Sequence, residues 1–279
     1  MNIVMKTSIS CRMTEYSDDK AKSFLSFSSF VKLVSHYKFK GISLRPSVIS
    51  TKSSNNDIID VLKIINEKKI KVSMVTTNLH LAKNDQLASQ NLKNIKPCLD
   101  LAEKLNCSQV RIMIQKSEDI YYAQRSLDEA NERNIKLLQQ THWGTLAETI
   151  EDTLYLIKKI RRKNFGITFE PSNLMACSSK YDEESIKVLL PYIKNFYFQN
   201  IILDPFGNHV FKTNINGNVK VTYTPLSDDR GISISTLLNL LNKLGYEDWF
   251  TIHQPLLPNQ TVEEAIKEAS VLMETLKSQ

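Results

Sequence analysis

The sequence predicts an α/β fold, a single (β/α)8 TIM barrel over residues 1–279, with a β-hairpin-containing insertion at 201–230 after the seventh strand. Three observations carry this. Short β-branched or aromatic runs alternate with long amphipathic segments eight times, a count and spacing that suit a barrel of roughly 250 residues. No glycine-rich phosphate fingerprint follows the first strand, where a dinucleotide-binding sheet would need one. The chain has only 7 glycines, most of them at element boundaries, and no linker divides it.

Taken in order, residues 3–8 read as the first strand and 20–37 as a helix with Phe24, Phe27, Val31 and Val34 on one face. The second strand, 41–45, is closed by Pro46, and a helix is expected over 58–68. The third strand, 70–75, leads to a polar turn carrying His80. A long helix over 86–105, bent before Pro97, precedes the fourth strand at 109–114. A helix over 120–133 and a fifth strand over 135–140 follow. The turn Thr141-His142-Trp143-Gly144 runs into Thr145-Leu146-Ala147-Glu148, read as a capping box for a helix striped by Ile150, Leu154 and Ile157.

The sixth strand, in the run Phe165-Gly166-Ile167-Thr168-Phe169, ends on Glu170. Pro171 biases Glu170 to extended geometry, and no helix is expected to start there. A helix over 183–190 and a strand over 194–200 come next. Residues 201–230 hold Asn216-Gly217-Asn218 and the alternating Val219-Lys220-Val221-Thr222-Tyr223, a hairpin inside a long loop that covers the barrel mouth or makes a subunit contact. A helix over 234–244, a strand over 249–253 closed by Pro255, and a capping box Thr261-Val262-Glu263-Glu264 complete the chain. The last helix buries Val262, Ala265, Ile266, Ala269, Leu272, Met273 and Leu276.

With 42% hydrophobic residues and no apolar stretch near the ~20 residues of a membrane span, the composition points to no membrane partner. The start lacks a signal-peptide pattern, and the four cysteines show no CxxC pair, so a cytoplasmic protein with reduced thiols is expected. The net charge of +6 is concentrated in runs such as Lys158-Lys159-Ile160-Arg161-Arg162-Lys163. That run suits a helix C-terminus, and without interleaved aromatics it does not suggest nucleic acid.

Chemistry on this fold sits at the C-terminal ends of the strands. Those ends present Arg45 on strand two, Gln140 and His142 on strand five, Glu170 and Asn173 on strand six, Tyr197, Gln199 and Asn200 on strand seven, and His253 on strand eight. Singly, each has an ordinary reading: a helix cap for His142, a satisfied buried imidazole for His253, loop hydrogen bonds for the glutamines. Together they form a cluster with metal-ligand or acid/base capacity.

The segments Gln140-Thr-His142-Trp-Gly144-Thr145, Phe165-Gly-Ile-Thr-Phe-Glu170-Pro-Ser-Asn173, Asp228-Asp-Arg-Gly231 and Gly245-Tyr-Glu-Asp-Trp-Phe-Thr-Ile-His253 together resemble the xylose isomerase-like TIM barrels. This superfamily contains sugar phosphate isomerases/epimerases and endonuclease IV, and the resemblance covers essentially the whole chain. It implies a divalent ion held by Glu, Asp, His and Glu at the ends of strands five to eight. The matching positions here are Gln140, Glu170, Tyr197 and His253, while Glu170-Pro-Ser-Asn173 replaces an Asp-x-x-His pattern and Gln199-Asn200 a Lys-Asp pair. One carboxylate with neutral partners is a poor cage for Mg²⁺. A transition metal (Mn, Fe, Co or Zn) on Gln140, Glu170 and His253 and a metal-free site both stay open.

The resemblance implies carbohydrate metabolism: an isomerase or epimerase of a sugar, polyol or sugar phosphate, moving a proton next to a carbonyl. In that expectation His253 is the acid/base and Glu170 a ligand or second base, with Arg45, His142, Asn173, Tyr197 and Gln199 binding a small polar substrate. A lyase or dehydratase on the same scaffold is the alternative, as is a non-catalytic polyol-binding relative. Endonuclease IV-type chemistry needs several zinc ions, which 5 histidines in the whole chain do not supply. A homo-oligomer is compatible with this reading.

Overall fold

The computed structural model describes residues 5–274. Eight parallel strands close into a barrel: β1 (Lys6–Ser10), β2 (Gly41–Leu44), β3 (Lys71–Val75), β4 (Gln109–Ile112), β5 (Lys136–Gln140), β6 (Phe165–Phe169), β7 (Ile193–Phe198) and β11 (Trp249–Ile252). They pair in the order β1-β11-β7-β6-β5-β4-β3-β2. Three further strands, β8 (Ile201–Leu203), β9 (His209–Thr213) and β10 (Gly217–Tyr223), form a separate antiparallel sheet in the order β8-β10-β9. The insertion is therefore a three-stranded sheet, one strand more than the expected hairpin. Among the described residues no helix is long and apolar enough to cross a membrane. All four cysteines are free and buried.

The barrel interior is partly polar, and its polar groups pair across strands. Ser8 Oγ lies 2.6 Å from Ser73 Oγ, Ser43 Oγ 2.7 Å from the Tyr197 hydroxyl, and Thr251 Oγ1 donates to Asn195 Oδ1 at 2.8 Å. Such pairing is what lets polar side chains sit in a dry core. Tyr197, Met74 and Leu138 plug the barrel between these pairs.

Several local expectations change. The first strand lies at Lys6–Ser10, and residues 3–4 and Leu276 fall outside the described residues. The first helix is only Phe27–His36, capped by Ser26, because 15–25 form a loop closed by a bridge between Glu15 and Ser23. The stretch 86–105 splits into a 3₁₀ turn, Ala88–Lys93, and a helix, Lys96–Lys104, with Pro97 in its first turn. Pro171 does start a helix, Pro171–Ala176, because proline is accommodated at the first helical position, where no intrahelical N–H is required. Glu170 is extended before it, with φ −135° and ψ 104°.

The capping box at Thr145 shifts by four residues. Thr149 caps the helix Ile150–Ile160 by accepting from Asp152 N. Glu148 is thereby free for another task. Its carboxylate accepts from the backbone N–H groups of Gly144 at 2.5 Å, Asn214 at 2.7 Å and Ile215 at 3.2 Å, which ties the tip of the β9–β10 hairpin to the barrel. At the other end Asn200 accepts from Ile232 N at 2.7 Å and donates to the carbonyls of Pro225 and Asp228, each at 2.9 Å. Asn200 thus anchors the insertion rather than facing a ligand. The Thr261–Glu264 capping box forms as expected.

Candidate active site

A cavity of ≈ 300 Å³ opens at the C-terminal ends of the strands. Arg45, Gln140, His142, Glu170, Asn173, Gln199 and His253 all line it, so seven of the strand-end residues singled out above converge. Tyr197 lies beneath them: its hydroxyl is bound to Ser43, and its ring stacks on His253 at 4.2 Å and 25°. Burial, the largest influence, raises its phenol to about 12, so it stays neutral. The insertion covers the mouth, contributing His209, Val210, Phe211 and Tyr223 to the wall, with Phe211 stacked on Trp143 at 5.7 Å.

Glu170 is fully buried. Its backbone N–H donates to Thr141 Oγ1 at 2.8 Å, which fixes the strand end. One carboxylate oxygen, Oε2, accepts from Asn173 Nδ2 at 2.8 Å and from Gln140 Nε2 in a very short contact. The other, Oε1, has no protein partner. Burial raises the carboxyl from 4.5 to about 7, against the opposing pull of Arg12, the Gln140 hydrogen bond and Arg111. His253 is 4% exposed, and its Nδ1 is also unpartnered. Burial, then the charges of Arg12, Arg45 and Arg111, hold the imidazole well below its ordinary value, so it is neutral. His142 is neutral for the same first reason, and its Nδ1 lies 2.6 Å from the Trp143 carbonyl.

Two further acceptors in the wall are unpartnered, Gln140 Oε1 and Gln199 Oε1, while Gln199 Nε2 donates to Ser172 Oγ at 3.0 Å. The ends of four neighbouring strands, β5, β6, β7 and β11, therefore each carry a buried polar atom without a hydrogen-bond partner.

The sequence reading missed much of the cationic wall. Arg12, Lys20, Arg45, Lys83 and Arg111 line the cavity against only Glu15 and Glu170. Arg45 is already engaged: Nε and Nη2 bind Glu15 at 2.7 and 3.0 Å, with both side chains 3% exposed. Arg111, next to last in β4, is 2% exposed. It was visible in the sequence as an arginine inside the apolar run Val110-Arg111-Ile112-Met113-Ile114, a position that demands a buried partner. Glu15 and Lys20 carried no such signal, since their loop has no regular pattern, and Arg12 sits in the 3₁₀ turn Cys11–Thr14 directly after β1.

The residues present do not fit the divalent ion of the related barrels. Of the four matching positions only Glu170 is anionic. Tyr197 is a neutral phenol tied to Ser43, and the Gln140 amide turns its N–H toward Glu170. Among the described residues no group of three or more His, Cys, Asp or Glu side chains could hold a metal ion. With Glu15 already paired to Arg45, the excess of arginine and lysine around Glu170 opposes a further cation.

A closed parallel barrel with its polar side chains gathered at the C-terminal strand ends defines the class of this protein. The family model for the xylose isomerase-like TIM barrel matches residues 31–275, and the chain belongs to that family. No curated protein matches it. Among solved structures it is similar to the probable 3-DHS dehydratase AsbF of Bacillus anthracis, with 17% identity, coverage of 98% of this chain and 99% of that one, and a TM-score of 0.71. It is also similar to a xylose isomerase-like TIM barrel protein of Mycobacterium smegmatis in complex with magnesium (14% identity, 98% and 96% covered, TM-score 0.67). A D-allulose 3-epimerase of Methylomonas sp. shares 8% identity over 98% of both chains, with a TM-score of 0.64. At these identities the likeness is one of fold.

Proposed function

We propose that this barrel catalyses proton transfer next to a carbonyl on a small hydroxylated substrate, as an isomerase or epimerase, with Glu170 as the acid/base. One observation carries the reading: a fully buried strand-end carboxylate with one oxygen held by two amide donors, the other unpartnered, and its acid dissociation moved to about 7. A base poised near the working pH is present in both protonation states and can take and return a proton. The neutral imidazole of His253 is the second proton-handling group, and the acceptors of Gln140 and Gln199 receive substrate hydroxyls. The positive charges of Arg111 and Arg12, both of which act through space on Glu170, favour the negative charge of the enediolate that proton removal creates.

Dehydration is the second reading. Elimination of a β-hydroxyl begins with the same proton removal, and the Glu170 carboxyl that has taken the proton returns it to the departing hydroxyl, which leaves as water. The similar fold named as a probable 3-DHS dehydratase agrees with this but rests on fold alone.

The test is solvent exchange. Wild-type protein and Glu170→Gln are incubated in D₂O with a panel of α-hydroxy carbonyl compounds, neutral and anionic, and read by proton NMR. Deuterium uptake at the carbon beside the carbonyl is expected with wild type and is reduced about 10²–10⁴-fold in the variant. Loss of water from the product marks the dehydratase. Equal exchange by wild type and variant overturns the assignment of Glu170. Saturable binding without exchange points instead to a non-catalytic polyol-binding protein.

A further inference from the structure

Three cations in the cavity have no anion of their own. Arg111 donates to the Leu81 carbonyl at 2.5 Å and to Asn84 Oδ1 at 2.5 Å, both neutral acceptors, and its Nε is buried without any partner. Arg12 donates to the Tyr223 hydroxyl at 2.6 Å and lies 5.5 Å from the centre of that ring. Lys20 donates to the Ala82 carbonyl at 3.2 Å. The contrast within the same wall is Arg45, which Glu15 neutralises with two hydrogen bonds. The fold can thus pair an arginine at this mouth, and it leaves Arg111, Arg12 and Lys20 without a hydrogen-bonded carboxylate.

An uncompensated buried cation is costly, and a protein keeps one where something else supplies the counter-charge. The strain is legible in the groups themselves. Burial lowers Arg111 to about 10, and burial followed by the charges of Arg12 and Arg45 lowers Lys20 to about 7. Glu170 acts through space on Arg111 and Arg12, and Glu15 on Lys20, without a hydrogen bond to any of the three. The Glu170 Oε2 is already taken by two amides, and neither guanidinium hydrogen-bonds to it.

We propose that the substrate carries a carboxylate or phosphate group, which binds between Arg111, Arg12 and Lys20 while its hydroxylated carbons lie against Glu170, Gln140, Gln199 and His253. This rests on the proton-transfer reading for the placement of the carbons, but not for the anion. Arg111 is the fixed member, held by the strand and by the helix Leu79–Lys83 through Leu81. Arg12 is set by Tyr223 of the insertion, so anion binding is coupled to the seating of the cover over the mouth.

The experiment is titration calorimetry on the full chain with three probes: D-gluconate, inorganic phosphate and the neutral polyol D-glucitol. At least one anion is expected to bind tenfold or more tightly than glucitol, and to weaken with added sodium chloride. Gluconate as the better ligand assigns a carboxylate, phosphate as the better ligand a phosphate. Arg12→Gln and Lys20→Gln are each expected to weaken the anion about tenfold and to leave glucitol unchanged. These two lie nearer the surface, so they keep the test open if Arg111→Met fails to fold. Glu170→Gln, which removes a negative charge from the same wall, should bind the anion equally or more tightly. Anions binding no better than glucitol, or binding unchanged by both Arg12→Gln and Lys20→Gln, would overturn the proposal. That failure leaves the solvent-exchange result for Glu170 standing, and loss of the exchange result leaves the binding result standing.

Discussion

Replacing Glu15 by glutamine should destabilise the protein by about 3 kcal/mol, because it leaves Arg45 buried without a carboxylate. The magnitude follows from the geometry. The pair is bidentate at 2.7 and 3.0 Å and 3% exposed on both sides, so water cannot replace the lost charge. Of the acceptors Arg45 now has, only the Ala82 carbonyl at 3.3 Å would keep its character. For a chain of this size about 3 kcal/mol corresponds to roughly 6–12 °C in Tm, read by circular dichroism during thermal unfolding. A Glu15→Leu/Arg45→Met double variant should regain most of the loss, since apolar residues of similar volume remove both desolvation costs together. A loss below about 1 kcal/mol in Glu15→Gln would mean that the pair behaves like an exposed one. Arg45 would then be free to turn to a substrate, the role its strand-end position suggested from sequence alone, and its assignment as a structural partner of Glu15 would fail.

The stability advantage of Glu170→Gln over wild type should grow with rising pH. The folded carboxyl is raised from 4.5 to about 7, so stability is lost as pH rises through that window, amounting to about 3 kcal/mol above pH 7 at roughly 1.4 kcal/mol per pH unit. The variant lacks this cost, and denaturant titrations at pH 8 and pH 5 should show its advantage at pH 8 shrinking at pH 5; a pH-independent difference refutes the cause. The pH profile of kcat/KM for an anionic substrate should be a bell near pH 7, limited on the acid side by protonation of Glu170 and on the alkaline side by neutralisation of Lys20; Lys20→Gln should abolish the alkaline limb. Treatment with a chelator followed by desalting should leave turnover within about twofold, because the wall has one carboxylate not already paired, Glu170, among neutral donors and cations; an activity restored only by Mn, Fe, Co or Zn contradicts that reading of the donor set.

The eight-fold strand rhythm was legible because each barrel strand is a short β-branched or aromatic run bounded by turn residues, and the period survives without tertiary knowledge. The errors fall where two local solutions compete. Thr145–Glu148 and Thr149–Asp152 both satisfy a capping pattern, and the helix uses the second because Glu148 is needed to hold Asn214 and Ile215 of the insertion. Pro171 forces Glu170 to be extended and also begins a helix, so one residue supplies both the strand end and the turn that aims the carboxylate. In the site, polar side chains at strand ends could be read directly from chain order. The pairing of Arg45 with Glu15 could not, since it joins a strand end to an irregular loop 30 residues away. The same loop brings Lys20 to the cavity, and the insertion brings Tyr223 to Arg12. Those are tertiary meetings, without a period or spacing to announce them.

The state of Glu170 is best measured on the residue itself. With glutamate labelled by ¹³C at the side-chain carboxyl, an NMR titration from pH 4 to 9, compared with the same titration of Glu170→Gln, isolates its resonance. The account predicts one carboxyl, absent from the variant, with a midpoint at about 7. A midpoint for that carboxyl near the ordinary 4.5 would contradict the account, because Glu170 would then be a solvated carboxylate with no special capacity to exchange protons near neutral pH.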